Sequence, residues 1–108
     1  MGSDVRQTDD GFEAHIELDG FERWVACSSL MDAEALSRLG ELTRAYVDLL
    51  RSDAEQRTPP ELELVDDLIQ GFELAREALL RVGYELVASM VDSKLIWLRQ
   101  ARERVLAS

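Results

Sequence analysis

From Pro60 onward the chain carries no further proline, and apolar residues at Val65, Leu68, Phe72, Ala75, Leu79, Val82 and Leu86 alternate three and four apart. That spacing predicts a helix with a coiled-coil-like seam that one helix cannot bury alone. Beyond Leu86 the register meets Ser89 and Ser93, while Val87, Val91, Leu95 and Leu98 form a second apolar line. The buried face therefore rotates, through a stutter, a bend near Gly83 or a change of packing partner. Unbroken from 60 to 106, such a helix would be about 70 Å long, against about 30 Å for the helix that precedes it. The unmatched length predicts a homodimer, with a bend that makes three helices as the rival.

Upstream, Phe12, Ala14, Ile16 and Leu18 alternate with Glu13, His15 and Glu17 before Asp19-Gly20. This is a strand entering a two-residue turn. The turn sets Leu18 opposite Phe21, Ile16 opposite Arg23, Ala14 opposite Val25 and Phe12 opposite Cys27, with Glu17 facing Glu22 and His15 facing Trp24 on the other side. A lone hairpin is marginal in water, so helices or a second sheet must cover its apolar side. Residues 1–11 are polar and aperiodic and predict a flexible tail, leaving 12–108 as a single β-hairpin plus helical domain.

Ser29 with Asp32 resembles a helix-capping pair. From Ala35 the positions Leu39, Leu42, Tyr46 and Leu49 trace one helical face, so a first helix is expected over about Asp32 to Ser52, with Glu55 as its furthest end. Its outer side offers Glu34 to Arg38, Asp48 to Arg51 and Asp53 to Arg57 pairs at helical spacing. Arg57-Thr58-Pro59-Pro60 must end it, with Thr58 or Pro60 opening the next helix. Gly71 and Gly83 interrupt the later pattern; each permits a close crossing or a break. The expected fold is α+β and mainly α: an N-terminal β-hairpin, then an antiparallel helical hairpin with a long C-terminal helix, either bent or continuous, assembled as a dimeric bundle.

Composition sharpens the partner and weakens chemistry. Of 108 residues 31% are charged, and 22 acids against 12 Lys and Arg leave a net charge of −10. Such a surface repels phosphate backbones and anionic lipid and complements a basic protein. Basic residues gather late, at Lys94, Arg99, Arg102 and Arg104, where helix-dipole matching accounts for them more readily than direct nucleic-acid binding. A single cysteine, no basic-then-apolar leader and no run of about 20 apolar residues predict a cytoplasmic protein that does not enter a membrane.

No residue set carries a recognisable catalytic, metal or cofactor motif, and no cofactor is expected. His15 between Glu13 and Glu17 lacks further ligands and reads as a surface histidine. Cys27 and Ser28 lack an activating base, and Cys27 reads as a small hydrophobe. Asp66 and Asp67, and Glu73 and Glu77, fit solvation and helix electrostatics better than acid-base work. Trp24 either anchors a contact or covers the helix pair, and Trp97 shares that ambiguity.

These observations predict a non-catalytic protein-interaction or adaptor module that self-associates. Trp24, Val65, Leu68, Phe72, Leu79, Val82, Leu86 and Trp97 form the expected protein interface. Glu13, Glu17, Glu22, Asp66 and Asp67 form the acidic surface for a basic partner. An acidic inhibitor or antitoxin that blocks a nucleic-acid-binding protein is the first alternative. The second is a small enzyme with a site between subunits, using His15 and carboxylates.

Overall fold

A computed structural model describes residues 4–55 and 60–107, and those residues form a three-stranded antiparallel sheet followed by helices. The sheet runs β1 (Val5–Thr8), β2 (Gly11–Leu18) and β3 (Phe21–Cys27), in that spatial order. The β2–β3 register is the one the Asp-Gly turn dictates, from Leu18 opposite Phe21 to Phe12 opposite Cys27. Asp19 and Gly20 take φ of 49° and 88°, the left-handed pair that a type I′ turn needs. Part of the tail expected over 1–11 is instead a strand: Val5 pairs with Ala14 and Thr8 with Gly11 across a two-residue connection. Backbone pairing with β2 orders a segment whose own side chains are too polar to signal it.

Alternation puts Ala14, Ile16, Leu18, Val25 and Cys27 on the covered face of the sheet. Against it lies α1 (Leu30–Ser37), opened by Ser29, whose Oγ accepts the Asp32 backbone N–H at 3.2 Å. The expected helix over Asp32 to Ser52 is broken at Arg38 and resumes as α2 (Leu39–Ala54). Ala33, Leu36, Leu39 and Leu42 recur every three residues, so on one straight helix they would drift about 60° per step. The break redirects the chain so that α1 lies between β2 and α3 (Leu62–Arg81), and α2 then continues against both α3 and β2. The connection that carries Arg57, Thr58 and Pro59 lies outside the described residues, as does the Asp53 to Arg57 pairing.

The later half is two helices, α3 (Leu62–Arg81) and α4 (Glu85–Ala107), packed antiparallel. Gly83 sits at φ 89°. Tyr84 N–H donates to Leu79 O at 2.8 Å and Gly83 N–H to Leu80 O at 3.2 Å, a Schellman ending that a left-handed glycine allows. The bend thus wins over the continuous rod of about 70 Å, and the molecule measures 51 × 27 × 22 Å. The seam is consumed inside the chain: Val65, Leu68, Phe72, Ala75 and Leu79 are buried and Val82 half-buried, whereas Leu86 is 84% exposed. Val87, Val91, Leu95 and Leu98 are the inward face of α4. No unmatched length remains to call for a second copy.

At the crossing of α2 and α3, a Cβ built on Gly71 would lie 2.8 Å from Leu42 Cδ2. This close approach brings Tyr46 edge-on to both Phe72 (6.2 Å) and Trp97 (5.7 Å), tying α2, α3 and α4 together. Among the described residues no helix is long and apolar enough to cross a membrane.

Candidate functional site

The uncovered face of the sheet gathers Arg6, Glu13, His15, Glu22 and Trp24, because β1 and β3 flank β2 in a register that puts these side chains on one side. Arg6 Nε donates to Glu13 Oε1 at 2.7 Å, and its guanidinium carbon lies 3.9 Å above the Trp24 ring centroid. His15 stands 5.4 Å from Trp24, with Nε2 3.1 Å from Glu22 Oε1 and Nδ1 3.7 Å from Asp4 Oδ1. Trp24 therefore does not cover the helices; it is roofed by Arg6 on the far side of the sheet. Both ring nitrogens of His15 face carboxylates. Ser37 lines the neighbouring cleft, but its hydroxyl donates to Glu34 O at 2.8 Å.

Cys27 lies on the covered face, 5% exposed, with Sγ 3.6 Å from Val25 O. Burial, and then the charge of Asp32, push its thiol above the ordinary value of 9.0, against a smaller opposing effect of a backbone hydrogen bond at Ala14. The protonated form is favoured, opposite to what a nucleophile needs. Among the described residues no group of three or more His, Cys, Asp and Glu is arranged to hold a metal ion.

Six of the twelve basic side chains are held by carboxylates far away in sequence. Arg81 donates from Nη2 to Asp32 Oδ1 at 2.6 Å and from Nε to both carboxylate oxygens, bridging α3 to the start of α1. Lys94, almost buried, reaches Asp19 in the β2–β3 turn at 2.5 Å and lies 5.6 Å from the centre of the Tyr46 ring. Arg76 pairs with Asp92, Arg99 with Glu73 (3.3 Å), Arg102 with Asp66 (2.7 Å) and Arg104 with Asp53 (3.5 Å). The expected local pairs Glu34 to Arg38 and Asp48 to Arg51 are absent among the described ion pairs. Antiparallel packing of α3 and α4 aligns opposite charges across the groove, which explains the basic C-terminal stretch more directly than the helix dipole does.

This pairing sorts the acids. Glu13, Glu22 and Asp66 are engaged within the chain, while Glu17 and Asp67 are exposed with no cation within 4 Å among the described residues. Asp67 belongs to a ridge along α3, Glu63, Asp67, Gln70, Leu74 and Glu77, whose spacing puts all five on one exposed side. Beside that ridge a shallow groove between α1 and α3 is lined by Met31, Ala35 and Leu74, with Glu34, Arg38 and the Asp32–Arg81 pair around it. Met31 is 74% exposed and Leu74 44%. Reading the sequence for one buried seam hid this second face; the carboxylates at 63, 67 and 77 were its signal.

Of the expected interface residues, Val65, Leu68, Phe72 and Leu79 are core and Val82 is partly covered, so they are not surface. Trp97 is half-buried against Tyr46. Leu86 alone of the seam reaches solvent fully. It begins a line on the outside of α4, Leu86, Ser89, Met90, Ser93, Ile96, Trp97 and Gln100, which contains no ionisable side chain. Comparison with known protein families, with characterised proteins and with solved structures finds no match to this chain.

Proposed function

We propose that the chain is a non-catalytic, self-associating interaction module that presents an acidic face to a basic protein. One observation carries this reading: the α3 ridge holds Glu63, Asp67 and Glu77 exposed and, among the described residues, without an ion-pair partner within 4 Å, with Arg81 near enough to Glu77 to feel its charge, beside the apolar Met31–Leu74 groove. An apolar patch rimmed by charge is the usual anatomy of a protein contact. Lysines or arginines of the partner meet the carboxylates while one apolar side chain enters the groove. Arg99, Arg102 and Arg104, the residues a nucleic-acid contact would use, are neutralised by Glu73, Asp66 and Asp53, which favours a protein partner over a phosphate backbone.

The test isolates proteins bound by the intact chain and measures each one's affinity against ionic strength. A basic partner is expected, with affinity falling as salt rises and dropping about tenfold in the Glu63→Gln, Asp67→Asn, Glu77→Gln triple variant, from ~0.5 kcal/mol per exposed charge contact. Leu74→Ser is expected to weaken it independently. Affinity unchanged by both substitutions would refute the reading.

A further inference from the structure

We infer that the self-association in that reading uses the outer face of α4, where a second copy of this chain packs its own α4 antiparallel across Ser93. The face spans four helical turns from Leu86 to Gln100, about 21 Å at ~1.5 Å per residue. Its members recur at three- and four-residue steps, the spacing of a helix–helix seam. Leu86 is 84% exposed and Ile96 57%, so these two lack cover from within the chain, while Met90 and Trp97 are half-buried and show only their outer edges.

Charge selects the occupant. Two copies that each carry −10 repel wherever their acids face one another, so they meet most favourably on a surface with none. Of the ions that flank the line, Asp92 and Arg99 are already paired with Arg76 and Glu73, Arg104 beside Trp97 is paired with Asp53, and the exposed Glu85 and Glu103 stand only at its two ends. A basic partner gains nothing electrostatically from this neutral line and is drawn to the α3 ridge instead. The two surfaces therefore divide the work by charge.

Size and hydrogen bonding agree. A two-fold axis at Ser93 sets Ser89 of one copy opposite Trp97 of the other, Met90 opposite Ile96 and Leu86 opposite Gln100, so that the largest side chain meets one of the smallest. The serines at the crossing let the backbones approach. Ser89 Oγ already donates to Glu85 O at 3.2 Å and Ser93 Oγ to Met90 O at 2.9 Å, so covering them strands no hydroxyl donor. A contact of four helical turns is modest beside the ~1,200–2,000 Å² of a standard interface, so the exchange between one and two copies is expected to depend on concentration.

Sedimentation equilibrium over a wide concentration range is expected to show a mass rising from 12.2 kDa toward twice that value. Leu86→Glu with Ile96→Glu, both at exposed positions, is expected to weaken association by more than about tenfold while circular dichroism stays unchanged. The α3 ridge variant is expected to keep the parent's mass profile. Mild oxidation should link Ser93→Cys into a covalent dimer but leave Ser89→Cys single, with Cys27 silent because it is buried. A parent of 12.2 kDa at every concentration overturns the inference together with self-association, but not the basic-partner reading. A parent dimer that survives the double glutamate variant overturns the α4 face alone, and efficient linkage at position 89 overturns the antiparallel alignment.

Discussion

Replacing Asp19 by Asn isolates the ion pair that ties the sheet to α4. Asn keeps the left-handed conformation at the first turn position and an oxygen able to accept from Lys94, so the change removes charge with little effect on shape. Loss of one partner from a fully buried pair costs about 3–5 kcal/mol, whereas an exposed pair contributes only ~0.2–1 kcal/mol. The Lys94 side chain is 8% exposed and that of Asp19 40%, so water screens the carboxylate but hardly reaches the ammonium. A loss of about 2 kcal/mol lies between those limits, equivalent to a fall of roughly 10 °C in Tm for a domain of this size. Lys94→Met removes the ammonium as well as its need for a partner; losing its contact with Tyr46 limits the net change to about 1 kcal/mol. Urea unfolding of the parent, both single variants and the double variant gives the coupling directly. Asp19→Asn should cost almost nothing once Lys94 is Met. An equal cost in both backgrounds would refute the ion-pair account and assign the effect to the turn.

Two further outcomes follow from the backbone and from burial. Gly83→Ala puts a Cβ into open space, so the left-handed φ of 89° is its sole penalty, and a loss of about 1–2 kcal/mol in urea unfolding is expected. Cys27 and Tyr46 both hold their protons more tightly folded than unfolded, chiefly through burial, from ordinary values of 9.0 and 10.0. Their stabilising contribution is complete below those values, and because unfolding then releases protons, stability falls as pH rises through about 9 and 10. The urea midpoint measured between neutral and alkaline pH checks this, and Cys27→Ala should flatten the lower part of the decline.

The hairpin was readable from sequence residue by residue, because strict alternation and Asp19-Gly20 leave one register that buries Ala14, Ile16 and Leu18 together. Val5–Thr8 was not, since a four-residue strand with one strong hydrophobe is ordered by its neighbour's backbone rather than by its own pattern. Gly83 was visible as a place where the helix could end, yet the same residue inside a helix looks identical locally. What decides is tertiary: folding back lets Val65, Phe72 and Leu79 share a core with Val87, Val91 and Leu98. The acidic residues were legible as composition only. Which of them face solvent unpaired depends on long-range partners such as Asp66 for Arg102 and Asp32 for Arg81, whereas helical spacing points to nearby ones.

The space that Leu42 takes above Gly71 links two positions that are remote in the chain. Because a methyl at 71 would overlap the end of the Leu42 side chain, sequence drift at the two sites is coupled: a lineage that gains carbon at 71 must turn the side chain at 42 aside or trim it. The burden extends to Tyr46, one turn further along α2, which touches Phe72 and Trp97 only while that narrow crossing is kept. Covariation within this triad would be the mark that the crossing leaves on descendants of the chain.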